Sequence, residues 1–105
     1  MTQDNTAIQR LKSNGIMSAV TIHHQTVYLS GQIPDSSDLD IRKQTLEVFA
    51  KIEELLVLAN TDKSRLLSAQ LVVKDLDDFQ AVTQLWVEWL QGDGTRARAT
   101  SQADL

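Results

Sequence analysis

Few side chains in this sequence are equipped for chemistry, and their spacing narrows the field further. His23 and His24 are its two histidines, adjacent in a segment rich in β-branched residues. Successive side chains of a strand point to opposite faces, so the two imidazoles cannot share one metal ion in a regular strand. The absence of cysteine removes a thiol nucleophile, a disulfide framework and a zinc ribbon. No metal site is expected. The acidic stretch Asp35 to Asp40 puts Asp40 and Leu46 where a calcium loop needs Gly and Glu, so it reads as a solvated capping loop. Gly92-Asp-Gly94-Thr-Arg-Ala97 has the form of a dinucleotide fingerprint, but it follows a helical stretch where the fingerprint needs a strand. No G-x-S-x-G elbow occurs. Arg96 and Arg98 are the closest arginine pair, and in a strand they share a face. A guanidinium fork binds a carboxylate through two hydrogen bonds, so this pair is the best anion site on offer. Spacing alone leaves the function open.

These groups must be positioned by a small set of elements. Residues 17–24 and 26–33 are rich in β-branched and apolar side chains with His24-Gln25 between them, which predicts a β-hairpin lacking the usual Asn-Gly turn. Asp38 or Asp40 then offers an N-cap for a helix. Ile41, Thr45, Val48, Ile52, Leu55 and Ala59 fall on one face of that helix, and Phe49 and Leu56 widen the stripe. Glu47 and Lys51 form an i,i+4 pair on another face. Residues 66–74 alternate as a strand, with Leu67, Ala69, Leu71 and Val73 on one side. Asp75 N-caps a second helix, Phe79, Val82, Trp86 and Trp89 form its buried stripe, and Gly92-Asp-Gly94 stops it. Helical spacing makes the two tryptophans core or interface residues. Arg98 to Leu105 predicts a last strand. The order is β-β-α-β-α-β, an α+β sheet with two helices on one face. Apolar residues on the other sheet face call for a partner subunit.

Composition sets the outer bounds. The 105 residues carry 14 acidic and 10 basic side chains, a net charge of −4, with 42% hydrophobic residues. That length fits one domain. An acidic chain disfavours nucleic acid and anionic membranes as partners. The longest apolar run, Leu55 to Ala59, falls far short of the roughly 20 residues that span a bilayer. The amino terminus lacks the apolar core of a signal peptide. A cytoplasmic protein is expected.

Thr26-Val-Tyr-Leu-Ser-Gly-Gln-Ile-Pro34 resembles the signature strand of the RidA family, also called YjgF-like reactive-intermediate deaminases. Met17-Ser-Ala-Val20, Gln44-Thr45, Lys51-Ile52, Leu55-Leu56, Asp62-Lys-Ser64, Asp78-Phe79, Trp86-x-x-Trp89 and Arg98-Ala-Thr100 continue the resemblance in order. It covers roughly residues 8 to 105. It implies a chorismate-mutase-like α+β fold, a single RidA-like domain over residues 1–105, and a homotrimer whose sheets face inward with sites in the clefts between subunits. It also implies an enzyme that hydrolyses 2-enamine and 2-imine acids, such as 2-aminoacrylate, to 2-oxo acids and ammonia without metal or organic cofactor. By that resemblance Arg98 would clamp the substrate carboxylate, Ser30 and the Gly31 backbone would line the cleft, and Met17 and Ser18 would close it. The sequence departs from the family at Arg96, where proline is common, and at Thr83, where asparagine is common. The family also continues into a further strand with a water-positioning glutamate, so the chain reads as shortened at its C-terminus. A carboxylate-binding module without catalysis is therefore the alternative expectation.

Overall fold

The computed structural model describes residues 7–35, 40–91 and the backbone of 97–102. Five strands and two helices follow in the order β1 Gln9–Ser13, β2 Ser18–His23, β3 Thr26–Leu29, α1 Ile41–Leu58, β4 Ser68–Val73, α2 Phe79–Leu90 and β5 Ala97–Gln102. The fold is α+β. Short 3-10 turns at Lys63–Arg65 and Leu76–Asp78 precede β4 and α2 respectively.

One strand precedes the expected hairpin. β1 pairs antiparallel with β2, Leu11 opposite Val20 and Ser13 opposite Ser18, and β2 pairs with β3, Val20 opposite Leu29. β1 carries charged and polar residues around a lone Leu11, as suits an exposed edge. The turn into β2 is Asn14-Gly15, a strong hairpin signal. Asn14 Oδ1 accepts from the backbone N–H of Ile16 and of Met17, each at 2.9 Å, and Gly15 sits at φ +88°. The β2–β3 turn is His24-Gln25 as expected. Both residues adopt positive φ, 59° and 106°, because a two-residue hairpin needs that hand of turn to match the strand twist.

α1 begins where Asp40 accepts from the N–H of Lys43 at 2.9 Å; Asp38, the other candidate cap, lies outside the described residues. It ends in a Schellman arrangement. Asn60 is left-handed, its N–H reaches Val57 O, and the N–H of Thr61 reaches Leu56 O. Asp75 does act as a cap, but for the 3-10 turn that leads into α2, accepting from Asp77 N–H. α2 ends one residue earlier than its glycines imply, on Gln91 at φ 53°; Gly92 and Gly94 lie outside the described residues.

Phe49, Leu85, Trp86 and Leu90 form the buried cluster, and Leu66, Ala69, Leu71 and Trp89 pack against it. Both helices thus cover one face of β4, the face of Ala69, Leu71 and Val73. Phe49 stacks on Trp89 at 4.5 Å between centroids, and Trp89 Nε1 donates to Glu53 at 2.7 Å. Lys63 pairs with Glu53 and lies 5.4 Å from the Trp89 ring centre. The tryptophans pack in or against the core, and the N–H of Trp89 has an acceptor in Glu53. Phe79 is the exception to the expected stripe. It is exposed, and the buried face of α2 runs through Val82, Leu85, Trp86 and Leu90.

β5 runs parallel to β4, with Arg98 opposite Ala69. The hydrogen-bonded sheets are β1-β2-β3 and β4-β5, and no ladder joins them among the described residues. No described helix is long and apolar enough to cross a membrane.

Candidate functional site

Met17, Ser18, Ser30 and Gly31 come together at one end of the three-stranded sheet. Ser30 N–H donates to Ala19 O at 3.0 Å, which extends the β2–β3 ladder past Leu29 and brings Gly31 level with Ser18. Gln32 Nε2 donates to the Ser30 carbonyl at 3.1 Å and approaches its hydroxyl at 3.4 Å. A Cβ built on Gly31 would meet nothing within 4 Å. Its backbone therefore borders open space, and packing does not demand glycine there.

The segment beyond Gly31 is held by α1. Lys51 Nζ donates to Ile33 O at 2.8 Å and pairs with Asp35 at 2.6 Å. The N–H of Asp35 donates to Glu47. Glu47 and Lys51, expected as a pair along the helix, are instead turned toward this loop. The loop offers a backbone N–H and carbonyl as well as a carboxylate, so the two side chains gain more partners there than from each other. Their effect is to fix the exit of β3, and with it Ser30 and Gly31.

Arg98 belongs to a different strand ladder from this group. It stands in β5, opposite Ala69 in the other sheet, and Arg96 lies outside the described residues. The cation that the structure does place beside Met17 and Ser18 is Arg10. An open depression of about 320 Å3 is lined by Arg10, Ser13, Gly15, Ile16, Met17, Ser18 and Thr21. None of these is Asp, Glu or His. Arg10 faces Thr21 across β1–β2, and Thr21 faces Tyr28 across β2–β3. Alternation along β3 puts Ser30 on that same face. Ser13 and Ser18 hydroxyls are 2.7 Å apart at the depression's end. Arg10 is invisible to sequence reasoning that starts the sheet at residue 17; the Asn14-Gly15 turn is the signal that reveals its strand.

The two histidines sit at the far hairpin tip, ring centres 4.0 Å apart. Among the described residues no three His, Cys, Asp or Glu side chains gather to hold a metal ion. A larger hollow, about 490 Å3, runs along α1 beside Ala50, Glu53, Glu54 and Val57 and includes none of Arg10, Met17, Ser18, Ser30 and Gly31.

Known proteins match this chain in sequence and in fold. The family model described as Endoribonuclease L-PSP matches residues 7–105. A RutC family protein of Haemophilus influenzae is 34% identical over 99 residues, which span 93% of this chain and 85% of that protein. The RutC family protein YoaB of Escherichia coli is 33% identical over 98 residues, 93% of this chain and 85% of its own. The crystal structure of a YjgF family member from Neisseria meningitidis superposes with a TM-score of 0.91 at 25% identity, covering 97% of this chain and 85% of that one. A Pseudomonas aeruginosa structure gives 0.88 at 28% identity, with 94% and 86% covered. With the family's sequence pattern and its fold both present across nearly the whole chain, this protein belongs to the Endoribonuclease L-PSP family, the group of the YjgF and RutC proteins.

Proposed function

We propose that the protein is a cytosolic deaminase that hydrolyses reactive 2-imine acids, and their enamine tautomers, to 2-oxo acids and ammonia. Water adds to the imine carbon, the C–N bond breaks, and ammonia leaves as the carbonyl forms. That carbon is already electrophilic, so the work left to the protein is to hold the substrate and orient a water molecule. In this reading Arg98 clamps the substrate carboxylate, Ser30 and Gly31 line the cleft, and Met17 and Ser18 close it. The cleft is completed by a neighbouring copy in a homotrimer. The observation that carries the reading is the gathering of Met17, Ser18, Ser30 and an unencumbered Gly31 at one sheet end, in a chain of this family.

A second reading has its own support. Among the described residues, the depression beside Met17 and Ser18 is lined by no carboxylate or imidazole that could position water. A module that binds small carboxylates without turnover fits that lining. The family's description as an endoribonuclease sits poorly with a net charge of −4, since RNA affinity grows with phosphate contacts from basic residues.

A coupled assay separates the readings. A serine dehydratase supplies 2-aminoacrylate, and release of 2-oxo acid is followed with and without the protein. Faster release that is lost in Arg98→Ala is the expected outcome, a drop of roughly a hundredfold for losing a charge-assisted clamp. Unchanged release with measurable 2-oxo acid binding would establish the binding module. Sedimentation of the same sample reports whether the trimer forms.

A further inference from the structure

Apolar packing does not hold the segment that leaves β3. None of the residues from Ser30 to Asp35 is buried, and Ile33, its largest apolar side chain, is 71% exposed. Past the last ladder bond, from Ser30 N–H to Ala19 O, the segment is tied to α1 through two side chains about one helical turn apart. Lys51 Nζ donates to Ile33 O at 2.8 Å and pairs with Asp35 at 2.6 Å, while Glu47 accepts from the Asp35 N–H. The Asp35 side chain is 80% exposed, and an ion pair with so solvated a partner is weak. Glu47 and Lys51 also have a second way to be satisfied. They stand at i,i+4 with the glutamate N-terminal, the favoured order for pairing along a helix. Release of the segment therefore leaves neither charge without a partner, and water takes over the backbone groups of exposed Ile33 and Asp35. Nothing lies within 4 Å of a Cβ built on Gly31, so the start of the segment has room to move.

We infer that Ser30–Asp35 is a two-state strap beside the proposed cleft, with Lys51 as the positioning residue that holds it closed. In the closed state Lys51 and Glu47 grip the backbone at Ile33 and Asp35, which fixes Gly31 two residues away. In the open state the two side chains turn to each other along α1 and the strap is free beyond Ser30. Segments held by few contacts and little burial open at low cost, and binding loops are drawn from them. Lys51 touches no reacting atom; it acts through the strap backbone. The role of Ser30 and Gly31 in the cleft rests on the deaminase reading, whereas the two states of the strap do not.

Amide relaxation dispersion on the labelled protein, with no ligand added, tests the strap directly. Gly31, Gln32, Ile33 and Asp35 are expected to exchange with one shared rate, on the microsecond-to-millisecond scale of segment opening. Lys51→Met should move the open-to-closed ratio about tenfold toward open, the size of one exposed charge-assisted contact, and Lys51→Arg should restore most of it. Asp35→Asn removes the same ion pair from the strap side and should shift the same amides in the same direction, so the test survives a Lys51→Met chain that does not fold. Amides that show no exchange and stay in place in both variants overturn the inference. The coupled assay then reads the link to the cleft. If only the closed state binds substrate, KM rises by the factor by which the closed fraction falls, with kcat unchanged. A fall in kcat at constant KM, or a KM indifferent to Lys51→Met while the amides shift, overturns the positioning role. A strap that moves as expected in a protein without imine turnover leaves the two states standing and sinks the deaminase reading. Turnover in a protein whose strap amides never exchange does the reverse.

Discussion

The helical side of the molecule and the β1–β2 edge are built on opposite terms. Around Phe49 and Trp86 the apolar side chains are buried, the Trp89 N–H has Glu53, and Glu53 has Lys63. At the sheet edge Ile16 and Met17 stand in solvent, Lys12 holds an unfavourable backbone angle, and Arg10 overlooks an open depression. The first region carries the buried cluster and pairs its polar groups with one another. The second buries Val20 but leaves the turn residues Ile16 and Met17 exposed.

The largest expected effect is on the helical side. Trp86→Ala should cost about 3–5 kcal/mol in urea denaturation, because the ring is buried between both helices and the cavity can only partly collapse. A loss below about 1 kcal/mol would mean that this cluster is not where stability resides. Asn14→Ala should cost about 1 kcal/mol, since it deprives two turn amides of their acceptor. Hydrogen exchange should then show faster opening of β1 with protection of α1 and α2 unchanged. Equal loosening of both regions would erase the contrast. In the opposite direction, Gln25→Gly should stabilise the β2–β3 turn by about 0.5–1 kcal/mol, since φ 106° suits glycine far better than glutamine. A melting temperature that falls would contradict the strained-turn account.

The smallest effect concerns acid. Hydrogen bonds from the Ser64 hydroxyl and backbone N–H lower the carboxyl of Asp62 below its ordinary value of 3.8. A depressed carboxyl adds stability that is fully present above the ordinary value and is lost as pH falls through the depressed one. The acid limb of the stability curve should therefore be slightly shallower in Asp62→Asn, with little change near neutrality. An unchanged acid limb would show that this exposed cap contributes nothing.

Much of the helical side is legible in the residues themselves. The period through Ile41, Thr45, Val48, Ile52 and Leu55 is long enough to identify α1, and Asp40 marks its start. β1 is the counterexample, because a polar edge strand with a single inward Leu11 has no apolar alternation to read. Its signal is the Asn14-Gly15 turn, and overlooking the strand also hides Arg10. Glu47 and Lys51 fail differently. Helical spacing pairs them correctly on one face, but it has no knowledge of the loop at residues 33–35 that offers better partners. Met17, Ser18, Ser30 and Gly31 were reachable only through family likeness, since serine and glycine near strand ends are common and chemically mute.

Local order therefore comes from the sequence by itself: the helix faces, the β2–β3 hairpin, the caps, and an acidic chain with no cysteine chemistry. These depend on neighbours within about one helical turn or one hairpin, where periodicity and side-chain capping act directly. Family membership is also written there, in motifs spread along the chain. Tertiary structure alone decides that Ser30 lies level with Ala19 and that Lys51 leaves Glu47 for Asp35. Those contacts join residues far apart in the chain. Their geometry is set by strand register and by competition among partners, and neither is encoded in spacing.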